Sequence, residues 1–298
     1  MSDHAAGGIL YIVATPIGNL GDMVPRAIDI LHRVSVIAAE DTRHSAKLLQ
    51  HFGISTRTIA YHDHSDDNRT QELLVRLQAG EQVALISDAG TPLISDPGYR
   101  LVHEARGLGI KIEPIPGACA LIAALCASGL PSDRFSFEGF LPAKHGNRLQ
   151  VLQGLVEDER TLIFYESPHR IEASLEDFVA AFGPEREMVL ARELTKTFET
   201  FIAGTTQEIL ACLRADANQK RGEMVLMVRG FNKPETDAMS AEVLRILALL
   251  CEELPLKKAA AMAAKITGAK KNALYQIGLS LTLASREEDE EESADDDV

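Results

Sequence analysis

A chain of 298 residues, 46% of them hydrophobic, can bury a substantial core and is long enough for two domains. Its net charge of −14 argues at first sight against nucleic acid as a partner, but nine acidic residues lie in the segment 287–298, and the remaining residues carry only −5. The sequence contains no run of about 18 apolar residues and no basic segment followed by a long apolar core, so we expect neither a membrane span nor a signal peptide and predict a soluble, cytoplasmic protein.

The first predicted strand, Gly8 to Ala14, runs directly into the turn TPIGNLGD at Thr15 to Asp22. Two glycines three residues apart after a strand are reminiscent of a phosphate-binding turn. The spacing is nevertheless not that of the dinucleotide fingerprint GxGxxG. A nicotinamide-dependent dehydrogenase is therefore disfavoured.

A second predicted strand, Val34 to Ala39, ends in the charged run from Glu40 to His44. Ligands in open α/β sheets bind beyond the carboxyl ends of the strands, so this run is expected at the functional edge. Asp41 or Thr42 equally suits the cap of a helix from His44 to Phe52. Arg43 is harder to explain as a cap, and we expect it to contact substrate.

No metal site is predicted. His62, Asp63 and His64 are consecutive loop residues without an evident fourth ligand, and a substrate-gating loop is the favoured interpretation. The cysteines have no metal-ligand spacing and are expected to be buried small hydrophobic residues in a reducing compartment. They are Cys119, Cys126, Cys212 and Cys251.

The stretch SDAGTPLISDPG, Ser87 to Gly98, follows an apolar run that reads as a short buried strand. Gly90 lets a backbone approach a ligand closely, and Pro92 fixes a bend. The alternative is a tight turn that uses glycine and proline for geometry alone. A third turn, PGACA at Pro116 to Ala120, follows the next predicted strand and opens a helix, Ala118 to Ser128, that is rich in small residues.

These three turns, in this order, resemble the tetrapyrrole methylase superfamily, whose members use S-adenosylmethionine. More narrowly, they resemble the bacterial members that methylate the 2′-hydroxyl of a cytidine in small-subunit ribosomal RNA. The resemblance runs from about Ile9 to Ser280 and implies a homodimer. The cofactor-binding residues that these motifs and the resemblance predict are Pro16, Ile17, Gly18, Asp88, Gly90, Thr91, Ile94, Cys119, Ala120, Tyr165, Glu166, Leu194 and Met224.

A second α/β unit is predicted after a linker at Gly129 to Ser132. Its strand ends carry charged residues again, in Glu166 to Arg170 and Arg192 to Lys196. The segment Leu141 to Arg148 reads as an exposed basic loop, whose Lys144 and Arg148 are phosphate contacts or ordinary surface charges. The predicted fold class is α/β, with two α/β subdomains, a cofactor cleft between them and a small C-terminal helical module.

Three helical segments are predicted after a linker at Pro234: Ser240 to Leu254, Leu256 to Thr267 and Lys270 to Leu281. Ser240 suits a cap, and Gly268 stands where a helix end tolerates positive φ. The segment 255–286 is basic and free of acidic residues, so the module resembles a helix-turn-helix that binds phosphates, although a plain packing module has the same pattern. The predicted domains are 1–130, 131–233 and 236–283, followed by a disordered acidic tail at 284–298.

Methyl transfer to a ribose hydroxyl is an in-line displacement that needs alignment and removal of a proton. The candidates for catalysis are Arg43 and Glu166 first and Asp41 next, with Glu193 as a further possible base. Because the chain has no tryptophan, stacking of a displaced base falls to tyrosine or phenylalanine, and Tyr61 and Tyr165 are the candidates.

The predicted partner is small-subunit ribosomal RNA or the assembled small subunit. The alternative enzyme is a small-molecule methylase of tetrapyrroles, but such an enzyme would have no use for the basic helical module. A non-catalytic RNA-binding factor is a further alternative. It is disfavoured because a scaffold has no need for Gly90, Thr91 and Gly117 at these turns.

Overall fold

The computed structural model describes residues 7–62, 67–232 and 241–279. Contacts divide the chain into two compact units, one that ends at Phe231 and one that begins at Asn232. Three sequence predictions lie outside the described residues. They concern Asp63 and His64 of the histidine-rich loop, the cap Ser240, and the acidic tail 284–298.

The first unit begins with a five-stranded parallel sheet. Its strands are β1 (Ile9–Val13), β2 (Val36–Ala39), β3 (Thr58–Ala60), β4 (Gln82–Ile86) and β5 (Lys111–Ile115). The connecting helices are α1 (Pro25–Arg33), α2 (Thr42–His51), α3 (Asp67–Gln78) and α4 (Tyr99–Gly107). The strand order is β3-β2-β4-β1-β5, and all four pairings are parallel. Helices cover both faces, which explains why β2 and β4 are nearly continuous apolar runs.

A second five-stranded sheet completes this unit. Its strands are β6 (Phe135–Phe140), β7 (Thr161–Glu166), β8 (Glu187–Arg192), β9 (Thr200–Thr205) and β10 (Met224–Val228). The helices are α5 (Ala120–Ser128), α6 (His145–Gly154), α7 (Ile171–Phe182) and α8 (Thr206–Ala215). The order is β6-β7-β10-β8-β9, with only the β6–β7 pair parallel.

Helix α5 joins the two sheets. It follows β5 of the first sheet, but its residues Leu121, Ala124 and Leu125 pack in one core with Val225 and Met227 of β10. The intervening residues of β10 point to the opposite face and pack in a core that also holds residues of α6, α7 and α8. The small residues of α5 therefore allow a close approach to the second sheet.

The second unit is helical, with α9 (Ala241–Glu253), α10 (Leu256–Thr267) and α11 (271–279). Its core contains Leu247, Ala260, Ala263 and Leu274. Gly268 ends α10 with φ of +76°, and its N–H donates to the carbonyl of Ala264 at 3.0 Å, as the sequence predicts. The predicted fold class, two α/β halves followed by helices, is confirmed.

The predicted exposed loop at 141–148 is wrong in one respect, because α6 begins at His145 and buries Arg148 to 3% exposure. The guanidinium of Arg148 donates to the carboxylate of Asp177 at 2.6 Å and to the carbonyl of Ala143 at 3.2 Å. His145 contacts the other oxygen of Asp177 at 2.7 Å. Packing of α6 on α7 therefore turns Arg148 inward, and it cannot contact a phosphate.

The cysteines also differ from expectation. Cys126 is exposed, while Cys119, Cys212 and Cys251 are partly buried, and all four are free thiols. Nowhere in the described ranges is there a helix with the length and apolar character needed to cross a membrane.

Replacement of the buried guanidinium tests this part of the fold. Arg148→Met leaves the carboxylate of Asp177 buried without its main partner, and we expect the free energy of unfolding to fall by about 3–5 kcal/mol. Lys144→Met, at an exposed neighbouring position, is the control and should change it by less than about 0.5 kcal/mol. Urea unfolding of both variants measures the difference, and equal midpoints would contradict the assignment.

Candidate functional site

A cleft of about 320 Å³ lies between the two sheets of the first unit, at the ends of their strands. The first sheet contributes the turns that follow β1, β4 and β5. The second sheet contributes the ends of β6 and β7, the loop after β8 and the start of β10. The lining residues are Ile17, Ala89, Gly90, Thr91, Ile94, Ser95, Asp96, Cys119, Ala120, Phe140, Tyr165, Glu166, Ser167, Pro168, Leu194, Glu223, Met224 and Val225.

Backbone hydrogen bonds hold the turns of the first sheet together. Thr15 and Gly90 exchange two of them, at 2.9 and 3.0 Å, and so form an isolated bridge between the turns after β1 and β4. The hydroxyl of Thr91 donates to the carbonyl of Ala118 at 3.0 Å, which attaches the turn after β5. Gly90 has φ of +82°, a conformation that other residues rarely adopt. The wall is therefore preformed and consists largely of backbone.

Backbone strain is concentrated beside this cleft. In the described part of the chain, four residues other than glycine have positive φ: Leu93 and Ser95 in the turn after β4, and Glu193 and Thr195 in the loop after β8. Both loops contribute lining residues. Such conformations cost on the order of 1–3 kcal/mol each and persist where surrounding contacts impose them. Their placement at one site indicates that these loops are shaped for a ligand.

Tyr165 connects the second sheet to α5. Its hydroxyl oxygen accepts the backbone N–H of Leu121, in the first turn of α5, at 3.1 Å. The rings of Phe137 and Phe140 meet it edge to face, with centroids at 4.8 and 5.6 Å. Burial raises the pKa of the Tyr165 hydroxyl, so it stays protonated. Tyr165 thus acts as a fixed support in the cleft wall.

Glu166 lies at the end of β7, and its side chain is fully buried. One carboxylate oxygen accepts the N–H of Ser167 and pairs with Arg170, both at 2.7 Å. The other accepts the hydroxyl of Ser174 at 2.5 Å. Both oxygens are engaged and the charge is balanced. This arrangement favours a role in holding the strand end in place over a role as a general base.

Asp41, Arg43 and Asp88 lie at the ends of β2 and β4, outside the cleft lining. Asp41 caps α2, since its carboxylate accepts the N–H of Arg43 at 2.8 Å. That hydrogen bond and the Arg43 guanidinium, 3.3 Å away, hold the pKa of Asp41 below its ordinary value. Asp88 accepts the N–H of Asp41 at 3.1 Å and so links the two strand ends. The side chain of Arg43 is 91% exposed and accessible to a large substrate.

The loop after β8 closes against the turn after β1. Gly18 has φ of +151°, and a Cβ atom there would lie 2.5 Å from Cγ of Lys196. Lys196 pairs with Glu193 at 3.0 Å and Glu223 at 2.9 Å. Burial opposes the charged form of Lys196, but these two carboxylates outweigh it and raise the pKa of the ammonium. One lysine therefore offsets part of the negative charge of two carboxylates in this wall.

Most predicted cofactor residues come together in the cleft: Ile17, Gly90, Thr91, Ile94, Cys119, Ala120, Tyr165, Glu166, Leu194 and Met224 line it. Pro16, Gly18 and Asp88 adjoin the lining turns without lining the cleft. Tyr61, predicted to stack on a base, is buried to 3% exposure with its hydroxyl 3.3 Å from that of Thr70. That prediction is wrong, because α3 covers the tyrosine.

Sequence reasoning missed eight lining residues. Six of them lie within two residues of predicted ones: Ala89, Ser95, Asp96, Ser167, Pro168 and Val225. Glu223 precedes Met224, so proximity along the chain was an available signal for it too. Phe140 is not close in sequence to any predicted residue, and regular alternation along its strand would point its side chain away from the cleft. No cluster of three His, Cys, Asp or Glu side chains suited to a metal ion occurs within the described ranges.

Comparison with known proteins is consistent with this geometry. The tetrapyrrole (corrin/porphyrin) methylase family matches residues 9–210, and the RsmI C-terminal HTH domain matches residues 237–282. A relative from Pseudomonas aeruginosa named ribosomal RNA small subunit methyltransferase I is 58% identical over 275 residues, covering 92% of this chain and 98% of the relative. A relative of the same name from Escherichia coli O157:H7 is 57% identical over 272 residues, covering 91% and 95%.

Among solved structures, the cobalamin biosynthetic enzyme cobalt precorrin-4 methyltransferase, CbiF, shares the fold. Its TM-score is 0.54 at 15% sequence identity, and the match covers 77% of this chain and 97% of that one. This likeness supports the two-sheet architecture around the cleft and carries no information on substrate.

The contact between Tyr165 and α5 is open to test. Tyr165→Phe removes the acceptor of the Leu121 N–H, and we expect the free energy of unfolding to fall by about 1 kcal/mol. Tyr99→Phe, at an exposed position, serves as the control and should leave stability unchanged. Urea denaturation compares the two, and a Tyr165→Phe variant as stable as wild type would refute a supporting role for the hydroxyl.

Proposed function

Because the chain belongs to the tetrapyrrole (corrin/porphyrin) methylase family, we propose that it transfers a methyl group from S-adenosylmethionine to small-subunit ribosomal RNA. One observation carries the proposal: relatives named ribosomal RNA small subunit methyltransferase I align at 57–58% identity over more than nine tenths of the chain. The C-terminal helical segment has a match of its own, to the RsmI C-terminal HTH domain. The acceptor we propose is the ribose 2′-oxygen of a cytidine.

The cleft suits S-adenosylmethionine. Its volume falls in the range of small-molecule sites, and its walls are mostly apolar and backbone groups, as such sites require. Met224 and Leu194 offer apolar surface for a purine, while the carboxylates of Asp96 and Glu223 would receive an ammonium or ribose hydroxyls. When bound, the cofactor supplies an electrophilic methyl group on a positively charged sulfur.

The electrostatics of the cleft favour transfer of that methyl group. The positive charge on sulfur decreases in the transition state, so an uncompensated carboxylate beside it would stabilise the ground state more than the transition state. Arg170 balances the charge of Glu166, and Lys196 is shared between Glu193 and Glu223. The rigid turns at Gly90 and Ala118 hold the reactants in line, which supplies much of the acceleration.

Proton removal and RNA contact involve residues at the cleft edge. Arg43 is exposed at the end of β2 and would hold a phosphate of the substrate, while Asp41 fixes the start of α2. In the helical unit, the lysines of α10, of α11 and of the turn between them are exposed and would add electrostatic attraction to RNA. They are Lys257, Lys258, Lys265, Lys270 and Lys271. We propose that one of the carboxylates near the cleft acts as the general base.

We further propose that the protein forms a dimer and acts in the cytoplasm. A ribosomal RNA substrate implies action in the cytoplasm, and the resemblance to homodimeric methylases supports a dimer of the 32.4 kDa chain. Light scattering at two concentrations would show a mass of one chain if the dimer proposal is wrong.

The central experiment uses labelled S-adenosylmethionine with small-subunit RNA and with assembled small subunits from cells that lack the enzyme. We expect label on one cytidine 2′-oxygen. Thr91→Phe should abolish transfer because the larger ring fills the cleft, whereas Val75→Phe on the exposed face of α3 should not. Tight cofactor binding without label in either substrate would refute the RNA proposal and favour a small-molecule methylase.

Glu166→Gln distinguishes a structural role from a catalytic one. Because both carboxylate oxygens are engaged, we expect lower stability from the unbalanced Arg170 and a kcat within about tenfold of wild type. A general base contributes about 10²–10⁴-fold, so a loss of that size in a folded variant would show that Glu166 removes the proton. Glu187→Gln, at an exposed ion pair, is the matched control.

A further inference from the structure

Phe140 is an exposed aromatic side chain in a cleft wall. It lines the cleft, yet 55% of its surface is accessible, whereas Tyr165, which it contacts, and Phe137, which contacts the same tyrosine, are partly buried. Its ring stands 5.6 Å from that of Tyr165, in an edge-to-face arrangement. Single exposed apolar residues are common, but this ring is exposed in the wall of a cleft and is therefore accessible to a ligand.

An irregularity in β6 places this ring on the cleft face. Phe137 pairs with Ile163 of β7, but the next paired residue is Gly139, opposite Phe164, and Phe140 is opposite Tyr165. One residue is therefore inserted between Phe137 and Gly139, and Gly139 has φ of +68°. Regular alternation would put Phe137 and Phe140 on opposite faces; the bulge puts both against Tyr165.

The segment after Phe140 is held rigidly although it lacks regular structure. The guanidinium of Arg170 donates to the carbonyl of Leu141 at 3.1 Å, and that of Arg148 donates to the carbonyl of Ala143 at 3.2 Å. The buried Arg148 and the partly buried Arg170 thus fix the backbone of the segment that follows Phe140. Phe140 is consequently positioned before any ligand arrives, which reduces the entropy lost on binding.

An exposed lysine lies four residues after Phe140 in the sequence. The segment 139–156 contains no acidic residue, and the exposed Lys144 follows the end of β6. Acidic lining residues, Asp96 and Glu223, come from the turn after β4 and from the start of β10. Cations beside an aromatic ring are the combination that binds single-stranded nucleic acid, where bases stack and phosphates pair.

We infer that Phe140 is the stacking platform for a base of the RNA substrate, next to the ribose that is methylated. The inference rests on the proposed function and adds the surface that receives the RNA. An unstacked base in single-stranded RNA binds to aromatic side chains in this manner. The adenine of the cofactor is the other planar group that such a ring could receive, but an exposed ring that leads into a segment free of acidic residues matches a nucleotide with phosphates better.

The test compares Phe140→Ala, Phe140→Leu and Phe140→Tyr with Phe135→Ala. Phe135 is a partly exposed phenylalanine at the opposite end of the same strand and is the matched control. We expect Phe140→Ala and Phe140→Leu to raise the KM for RNA about tenfold or more, while Phe140→Tyr and Phe135→Ala stay near wild type. The leucine variant keeps apolar volume without a ring, so it remains informative if the alanine variant does not fold.

Calorimetry with S-adenosylmethionine alone separates the two possible ligands. An unchanged cofactor Kd in Phe140→Leu together with a raised KM for RNA supports the inference. A weakened cofactor Kd with an unchanged KM for RNA overturns it and assigns the ring to adenine. An unchanged KM and an unchanged Kd also overturn it.

Filter binding measures how much small-subunit RNA the protein retains. Because this readout does not depend on catalysis, it tests the inference separately from the proposed function. If wild type transfers no methyl group to RNA, the proposed function fails, and RNA retention still decides the role of Phe140. Retention that falls about tenfold in Phe140→Leu supports the platform, and equal retention by wild type and variant overturns it.

Discussion

Packing of α5 on the second sheet is the contact on which the cleft depends. The helix leaves the last strand of the first sheet and buries Leu121 and Leu125 against Val225 and Met227 of the second. The Leu121 N–H then bonds the hydroxyl of Tyr165, so the start of the helix and the end of β7 are held together. This single element therefore sets the distance between the two walls. Apolar burial supplies the stability, and the hydrogen bond supplies the alignment.

Electrostatic compensation is the second constraint on the site. The carboxylate of Glu166 is fully buried but paired with Arg170, and the half-buried Lys196 pairs with two glutamates. A buried charge without a partner would cost several kcal/mol, so these pairs allow charged strand ends to lie beside a small-molecule cleft. Backbone dipoles and apolar side chains then dominate the walls. Such walls suit a ligand whose positive charge disappears during the reaction.

Much of the site was predictable because its signals are local. The turns at Thr15, Gly90 and Pro116 carry glycines and prolines that only certain backbone conformations use, and each directly follows an apolar strand. In a parallel sheet such turns meet at one edge, so six predicted residues of these turns line the same cleft, whereas the four in the second sheet, Tyr165, Glu166, Leu194 and Met224, were predicted by the family resemblance. The placements that failed depend on contacts distant in sequence. Tyr61 is covered by α3, and Arg148 turns inward to Asp177, 29 residues away.

The sequence by itself determined the strand-turn units, the α/β class, the helical module and the main turns that line the cleft, because local periodicity and turn chemistry encode them. Tertiary structure decided which charged residues are buried, which aromatic ring faces the cleft and how the second sheet is covered. The bulge at Gly139 illustrates the reason. Its effect on Phe140 depends on pairing with β7, and pairing is a non-local interaction that residue pattern within one strand does not contain.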